Sequence, residues 1–284
     1  MPDFSDFLLT VDFDRTLTAP DASIPERNLE AIRYFMAHGG TFTVNTGRSV
    51  PMYRQYMDII PVNAPLLLYN GSAAYDTEKE EFTFCNLIDL DMTQTLTELM
   101  EAFPDMTVEI QGKDAHYICR ENQMWTEFNQ ANRCNARVVP LGTDMGPFIK
   151  MCVYGTIHGP SVSLLFQATP EEMVRHDQAE QLLRTRYGNK LEVFRSGARI
   201  IDIHAKGVSK AKSARALQKS LGKKYLVCIG DAENDVPMLL GADFAYCPAD
   251  GVIADRFPNV CRCAEGSVAD VIYKEIPKIL DIQA

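Results

Sequence analysis

The chain lacks most of the features that announce a membrane, a disulfide scaffold or a nucleic-acid binder. None of its 284 residues falls in an apolar run of 18 or more, so no membrane-spanning helix is expected. The first residues, Met1-Pro2-Asp3-Phe4-Ser5-Asp6, show neither the basic start nor the apolar run of a secretory signal, and a soluble cytoplasmic protein is the expectation. Positive charge is outweighed, with 28 Lys and Arg against 38 Asp and Glu, a formal net charge of -10. That balance argues against a broad surface for nucleic acid or anionic membrane, while leaving room for one small anion in a locally basic pocket. The five histidines (38, 116, 158, 176, 204) form no pair at metal spacing, and none follows a core strand. No chemistry is assigned to them. The eight cysteines are scattered, several within apolar runs such as Leu226-Val227-Cys228-Ile229, where a free thiol packs as a small hydrophobe. Cys261-Arg262-Cys263 has no second pair at zinc spacing and reads as two thiols. The single tryptophan, Trp125, lies in an amphipathic stretch and reads as core. There is no internal repeat and no low-complexity segment.

What is present is a rhythm of buried strands and amphipathic helices, with 46% hydrophobic residues to build a core or two. The apolar run Phe7 to Val11 stops abruptly at Asp12, as a buried parallel strand does when a site lies at its C-terminal edge. Ser23-Ile24-Pro25-Glu26 reads as a capping box with a first-turn proline, and Leu29, Ile32 and Met36 recur at helical spacing until Gly39-Gly40. Strands are expected over 41–46 and 65–69, giving a β-α-β-α-β order and hence a doubly wound parallel sheet, an α/β Rossmann-like core.

After Asn70-Gly71 the pattern changes. Helices are expected near 91–103, 122–133 and 171–187, and strands near 106–120, 148–168, 191–195 and 199–204. Paired strands between helices suggest an antiparallel sheet covered on one face, an inserted α+β domain. From Gly207 the βα rhythm resumes with a helix to Leu221, a strand over Tyr225 to Ile229, a helix after Asn234, a strand near Phe244 to Tyr246 and a last helix from Ser267. The division expected is a core of 1–85 and 204–284 with an inserted domain of 86–203.

Ligands of open parallel sheets bind beyond the carboxyl ends of the strands. Three polar stretches follow apolar runs there: Asp12-Phe13-Asp14-Arg15-Thr16-Leu17-Thr18, Asn45-Thr46-Gly47-Arg48, and Gly230-Asp231-Ala232-Glu233-Asn234-Asp235. Asp12 and Asp14 leave their strand two residues apart, on one side. Convergent carboxylates repel unless neutralised, and with Asp231 and Asp235 they offer hard oxygen ligands suited to Mg2+. Lys210, near the start of a helix, offsets part of the remaining charge. Taken alone, Asp-x-Asp reads equally well as a turn with capping duty. The distant Gly-Asp-x-x-Asn-Asp weighs against that reading. Thr46-Gly47 alone is an ordinary strand stop and Asn70-Gly71 an ordinary turn. Asn70 is as suited to a link with the inserted domain as to a ligand, and Arg48 stands open between substrate and salt bridge. Lys206 and Lys212 flank Lys210 and read as solvated.

Taken together, Asp-x-Asp-x-Thr, Thr-Gly-Arg, Asn-Gly, Gly-Val-Ser-Lys and Gly-Asp-x-x-Asn-Asp resemble, in order and separation, the haloacid dehalogenase superfamily, and within it the Cof-like phosphatases with a type IIB cap. The resemblance covers nearly the whole chain. It implies that Asp12 attacks phosphorus to form an aspartyl-phosphate and that Asp14 serves as acid and then base. It also implies that Asp12, the Asp14 carbonyl and Asp231 hold Mg2+, with Asp235 as outer-shell support. Thr46 and Lys210 are then the phosphoryl contacts, joined by Gly47, Arg48, Asn70 and Asn234 as phosphate or substrate contacts. The partner implied is a small phosphorylated metabolite, with sugar phosphates first and phosphorylated cofactors such as pyridoxal phosphate or flavin mononucleotide next. The acid at Asp14 favours phosphate esters over dehalogenation. A phosphomannomutase-like phosphomutase is the nearest alternative, and a non-catalytic phospholigand sensor the alternative from another class. Arg15 departs from the pattern, since the family often has glycine there. If φ must be positive at that position, arginine is strained. Solvent exposure is then its preferred reading and a substrate contact the sharper one.

Overall fold

The computed structural model describes residues 2–134, 136–155 and 168–283. The strands run in chain order as β1 (Phe7–Val11), β2 (Thr41–Val44), β3 (Leu66–Leu68), β4 (Ala73–Asp76), β5 (Glu81–Cys85), β6 (Thr107–Gly112) and β7 (His116–Ile118). Then come β8 (Ala136–Val138), β9 (Phe148–Tyr154), β10 (Leu191–Gly197), β11 (Ile200–Ala205), β12 (Tyr225–Ile229), β13 (Phe244–Pro248) and β14 (Asn259–Val260). The helices are α1 (Glu26–Ala37), α2 (Val50–Tyr53), α3 (Met92–Ala102), α4 (Gln123–Asn132), α5 (Pro170–Tyr187), α6 (Lys210–Ser220), α7 (Val236–Leu240), α8 (Ser267–Asp270) and α9 (Ile276–Gln283). Among the described residues, no helix is long and apolar enough to cross a membrane. All eight cysteines are free thiols.

The chain divides into two compact units, one of residues 1–48, 55–84 and 209–284, the other of 49–54 and 85–208. In the first unit a parallel sheet runs β14-β13-β12-β1-β2. Its central strand β1 is Phe7-Leu8-Leu9-Thr10-Val11, every residue buried, as a strand covered on both faces requires. Val11 is level with Ile229 on one side and Val44 on the other, so all three strands end at the same edge. One face packs Leu8, Leu226 and Cys228 against Ala214 and Leu217 of α6 and Met238 of α7. Each such fully buried Leu or Met adds about 1.5–3 kcal/mol of hydrophobic stabilisation.

Two expectations are corrected here. Pro25, not Ser23, caps α1, and no side chain closes a capping box; the Ser23 hydroxyl donates to Asp21 instead, at 2.6 Å. The third strand is only Leu66–Leu68, and it forms an antiparallel three-stranded sheet with β4 and β5. It meets the parallel sheet at the bridge from Asn45 to Leu67. The β4–β5 hairpin was not among the expected elements, although Phe82 and Phe84 alternate along β5; none of the residues of β5 is fully buried.

The second unit holds a six-stranded sheet, β10-β11-β9-β6-β7-β8, antiparallel except where β7 meets β8. One face carries Val108, Ile110, Met151, Val153, Ile201 and Ile203 under Leu96, Leu99 and Leu183 of α3 and α5. The opposite face is not bare, as a sheet covered on one face would be. Met124 and Trp125 of α4 pack there against Cys152, Tyr154 and Ile200. That face is also polar. The Trp125 indole N–H and the Asn129 amide both donate to buried Glu109, so the lone tryptophan is core with a polar anchor. Glu109 also faces His116, 3.1 Å away, while Lys150 pairs with Asp202 at 2.8 Å. Burial opposes the Glu109 charge, but His116, Gln111 and Asn129 outweigh it and lower the carboxyl to about 2. Residues 156–167 of the strand expected over 148–168, and His158 with them, lie outside the described residues.

Candidate active site

The three polar stretches meet because β12, β1 and β2 are neighbours and end level. The Asp12 N–H donates to the Ile229 carbonyl at 2.9 Å and that of Asn45 to Val11 at 2.8 Å, so each chain leaves the sheet still tied to its neighbour. Beyond Asp12 the chain makes a tight turn, Phe13–Leu17, in which Asp14 and Arg15 are not helical. Arg15 takes φ 61, ψ 11, so the position does need the left-handed region.

At the centre is a buried ammonium. Lys210 Nζ, on the first turn of α6, donates to Asp12 Oδ1 at 2.5 Å and to Asp235 Oδ1 at 2.6 Å. Ser209 caps that helix by accepting the Lys212 N–H at 3.2 Å, and the Asn45 amide donates to the Lys210 carbonyl at 2.9 Å. These contacts fix the root of the lysine. Asp235 Oδ2 accepts the N–H groups of Asp231 (3.1 Å) and Ala232 (3.2 Å), which spends both of its oxygens inside the site. Gly230 makes this turn possible, since a Cβ there would lie 2.5 Å from that of Asp235. Asp231 Oδ1 accepts the Thr16 hydroxyl at 3.2 Å.

Asp12, Asp231 and Asp235 each offer a carboxylate oxygen, and these lie within 4.8 Å of one another. Three carboxylates against one ammonium leave an excess of negative charge in a buried place. Burial first, then the charges of Asp235, Asp231 and Asp14, push Asp12 well above the usual carboxylate range, against the pull of Lys210. Burial and Asp235 raise Asp231 to about 7, with Lys210 and Thr16 pulling the other way. Lys210 is held above its ordinary value by Asp12 and Asp235, although burial opposes its charge. A carboxylate set this crowded fits a small divalent cation with hard oxygen preference, as Mg2+ is. Because Asp235 has both oxygens engaged, Asp12 and Asp231 are the carboxylates left to face such an ion.

Asp14 does not join this cluster. Its carboxylate is half exposed and takes both arms of a guanidinium fork, from Arg48 Nε at 2.9 Å and Nη2 at 2.8 Å. Arg48 also lies over the rings of Phe13 (4.8 Å) and Tyr56 (5.6 Å), so its interaction in this structure is a stacked salt bridge. Thr46 is buried, accepts the Arg48 N–H at 3.2 Å and receives the Asn70 N–H on its carbonyl at 2.9 Å. Gly47 packs against the Asn70 side chain, where a Cβ would come within 2.9 Å of the amide oxygen. Asn70 sits at φ 55 in a left-handed turn, so it shapes the loop carrying Thr46. Asn234 is half-buried and makes none of the cluster's described hydrogen bonds. Lys212 is exposed, and Lys206 pairs with Glu192 at 3.3 Å. Thr16 and Asn45 were missed as site residues. Both belong to quoted motifs, but nothing local shows that their side chains turn inward.

Known proteins resemble the chain in sequence and in fold. Residues 9–252 match the model of a family described as haloacid dehalogenase-like hydrolase. A curated relative, the 5-amino-6-(5-phospho-D-ribitylamino)uracil phosphatase of Bacillus subtilis, is 21% identical over 236 residues, covering 82% of this chain and 79% of its own. Among solved structures, a haloacid dehalogenase-like hydrolase from Bacteroides thetaiotaomicron superposes with a TM-score of 0.78 at 19% identity, covering 94% of this chain and 98% of that one. A subclass IIB sugar phosphatase superposes at 0.74, with 19% identity and coverage of 97% and 99%.

Proposed function

Because the chain belongs to the haloacid dehalogenase-like hydrolases, we propose that it is a Mg2+-dependent phosphatase of small phosphorylated metabolites with Asp12 as its nucleophile. The observation that carries this reading is the Asp12 carboxylate at the end of β1, held by Lys210 and crowded by Asp231 and Asp235. Asp12, the Asp14 carbonyl and Asp231 hold the metal, and Asp235 supports them from behind. Bound there, Mg2+ supplies the positive charge that lets an anionic phosphate approach an anionic nucleophile.

The chain's own residues do the rest. Asp12 attacks phosphorus and the ester oxygen leaves, giving an aspartyl-phosphate. Asp14 protonates that oxygen, for which its carboxyl exchanges the Arg48 fork for the leaving group. It then takes a proton from the water that opens the acyl-phosphate. Lys210 and Thr46, with the backbone at Gly47, hold the phosphoryl oxygens whose charge grows in the transition state. Asn70 and Asn234 are the outer contacts of the same group. The second unit, read as 86–203, serves as the cap that selects the leaving group. Sugar phosphates rank first and phosphorylated cofactors second, in keeping with a neighbour that is a sugar phosphatase and a relative that acts on a phosphoribityl compound.

The test is phosphate release over a panel of phosphorylated metabolites, ranked by kcat/KM, with and without Mg2+. Turnover is expected only with the metal, and Asp12→Asn is expected to lose at least ~1,000-fold, about 4 kcal/mol of barrier. Equal turnover by Asp12→Asn would refute the nucleophile. Activity that appears only with a bisphosphorylated sugar activator would move the assignment to a phosphomutase.

A further inference from the structure

Ser49 caps helix α2 and is the next residue after Arg48. Its hydroxyl oxygen accepts the Met52 N–H at 3.3 Å, and Nε2 of His116 lies 2.8 Å from the same oxygen. A cap needs only the first of these contacts. The second joins Ser49 to the start of β7, 67 positions further along the chain, within the second unit. His116 is itself held. Its Nδ1 lies 3.1 Å from Glu109 Oε1, and Glu109 is fixed on β6 by the Trp125 indole, by the Asn129 amide at 3.1 Å and by the Gln111 amide at 2.6 Å. Burial opposes the Glu109 charge, but His116, Gln111 and Asn129 keep the carboxyl ionised. A carboxylate beside Nδ1 keeps the proton on that nitrogen, so Nε2 accepts the Ser49 O–H while Ser49 Oγ accepts the Met52 N–H. Ser, His and Glu in this order are the parts of an activated nucleophile, but all three are fully buried and offer a substrate no approach. The three side chains form a tether.

What they tether is the end of the loop that carries Thr46 and Arg48. Thr46 has anchors of its own, with its N–H on the Leu67 carbonyl and its carbonyl under the Asn70 N–H, both at 2.9 Å. The Arg48 carbonyl accepts the Tyr69 N–H at 3.0 Å, and the direction in which the chain leaves Arg48 is set by Ser49, one peptide bond on. Arg48 in turn grips Asp14 with both arms of its guanidinium. We propose that His116 is a positioning residue: through Ser49 it fixes the backbone at Arg48, and so holds Asp14 where its carboxyl passes from the Arg48 fork to the leaving oxygen. This rests on the phosphatase reading above and on the acid role given there to Asp14.

The test compares 4-nitrophenyl phosphate with the fastest alkyl phosphate of the metabolite panel, by kcat/KM with Mg2+, which reports formation of the aspartyl-phosphate. Nitrophenolate leaves as a stable anion and needs no acid, whereas an alkoxide must be protonated by Asp14. His116→Phe keeps a ring but cannot bond Ser49. It is expected to lose about tenfold on the alkyl ester and less than about threefold on the aryl ester, part of the ~100-fold or more that a placed general acid supplies. Ser49→Ala is expected to show the same selective loss, and the double variant to lose no more than either single one. His116→Gln, whose amide can reach Ser49, should recover most of the alkyl activity. The ratio of the two esters does not depend on the fraction of protein that folds, so it reads positioning apart from stability. A ratio unchanged from wild type in either single variant, with or without a loss of rate, overturns the proposal, and so does simple additivity in the double variant. Release from neither ester by the wild type overturns the phosphatase reading with it.

Discussion

Replacing Lys210 by methionine removes one charge from the centre of the site with little change in side-chain length. Lys210 is 2% exposed, and its ammonium sits 2.5 Å from Asp12 and 2.6 Å from Asp235. Deleting one member of a buried ionic network leaves its partners uncompensated, at a cost of about 3–5 kcal/mol. Asp12 and Asp231 already hold their protons more tightly than usual, so at neutral pH they can take up protons and bring the loss to the lower end of that range. A fall in Tm of roughly 6–12 °C follows for metal-free protein, measured by circular dichroism. Mg2+ should return part of it, because a divalent cation offsets the same carboxylates; at 100 times its Kd it adds about 2.7 kcal/mol. The rise in Tm on adding Mg2+ should be larger in Lys210→Met than in wild type, since the lysine no longer competes for that charge. Activity should not return. Two charge-assisted hydrogen bonds at about 1.5–3 kcal/mol each correspond to a loss of ~100-fold or more in kcat/KM, with Mg2+ saturating. A variant that unfolds within about 1 kcal/mol of wild type without metal, or that keeps more than roughly a tenth of kcat/KM, would refute the proposed coupling of this cluster.

Gly230→Ala places a methyl 2.5 Å from the Asp235 Cβ; it should cost about 1–3 kcal/mol by overpacking and lower kcat without a matching rise in KM, because Asp235 orients Lys210. Wild-type kcat in that variant would show that Asp235 is not a support. Acid should destabilise the second unit. Burial, with Lys150 nearby, lowers His204 to about 3, and burial with Arg195 and Arg199 lowers His176 to about 4. The unfolded chain therefore takes up these protons first. Stability is complete above the unfolded value near 6.5 and falls as pH drops below it, by about 2 kcal/mol per histidine at pH 5. Glu109, lowered to about 2, adds a further loss from about pH 4.5 downward. Trp125 lies in this unit and is the chain's only tryptophan, so urea midpoints by its fluorescence at pH 7.5 and 5.0 read the effect directly. His204→Asn should remove about half of the difference. Unfolding free energies, taken as midpoint times m, that differ by less than about 1 kcal/mol would exclude this account.

Much of the parallel core is legible in local sequence. Strand β1 is apolar but for Thr10 and β12 runs Tyr-Leu-Val-Cys-Ile, and Asp12 and Gly230 stop them with residues unsuited to a buried strand. Helix α1 is announced by its periodic leucine and isoleucine and closed by Gly39 at φ 90. The capping role expected of Ser23 failed because the helix begins only at Glu26, with Pro25 at its cap, which leaves Ser23 two residues outside the helix end. The strand at Leu66–Leu68 is apolar enough to be recognised, yet its sequence does not say which sheet it joins. Antiparallel pairing with β4 wins because the left-handed turn at Tyr69 and Asn70 reverses the chain at once. On the second unit's sheet, polar residues at alternate positions suggest a solvated face, whereas α4 covers part of it and Glu109 is paired inside.

Residue type and spacing alone determined which side chains are candidates for chemistry, because a carboxylate after a buried strand is a local event. The tertiary structure decided their partners. Lys210 reaches Asp12 across 198 positions of chain and Thr16 reaches Asp231 across 215, contacts that exist only because the parallel sheet sets β12 beside β1. It also turned Asp14 toward Arg48 and placed Arg15 in a left-handed conformation. Those outcomes depend on the packing of residues far apart in sequence, and a local pattern carries no information about which distant charge will be waiting at the end of a strand.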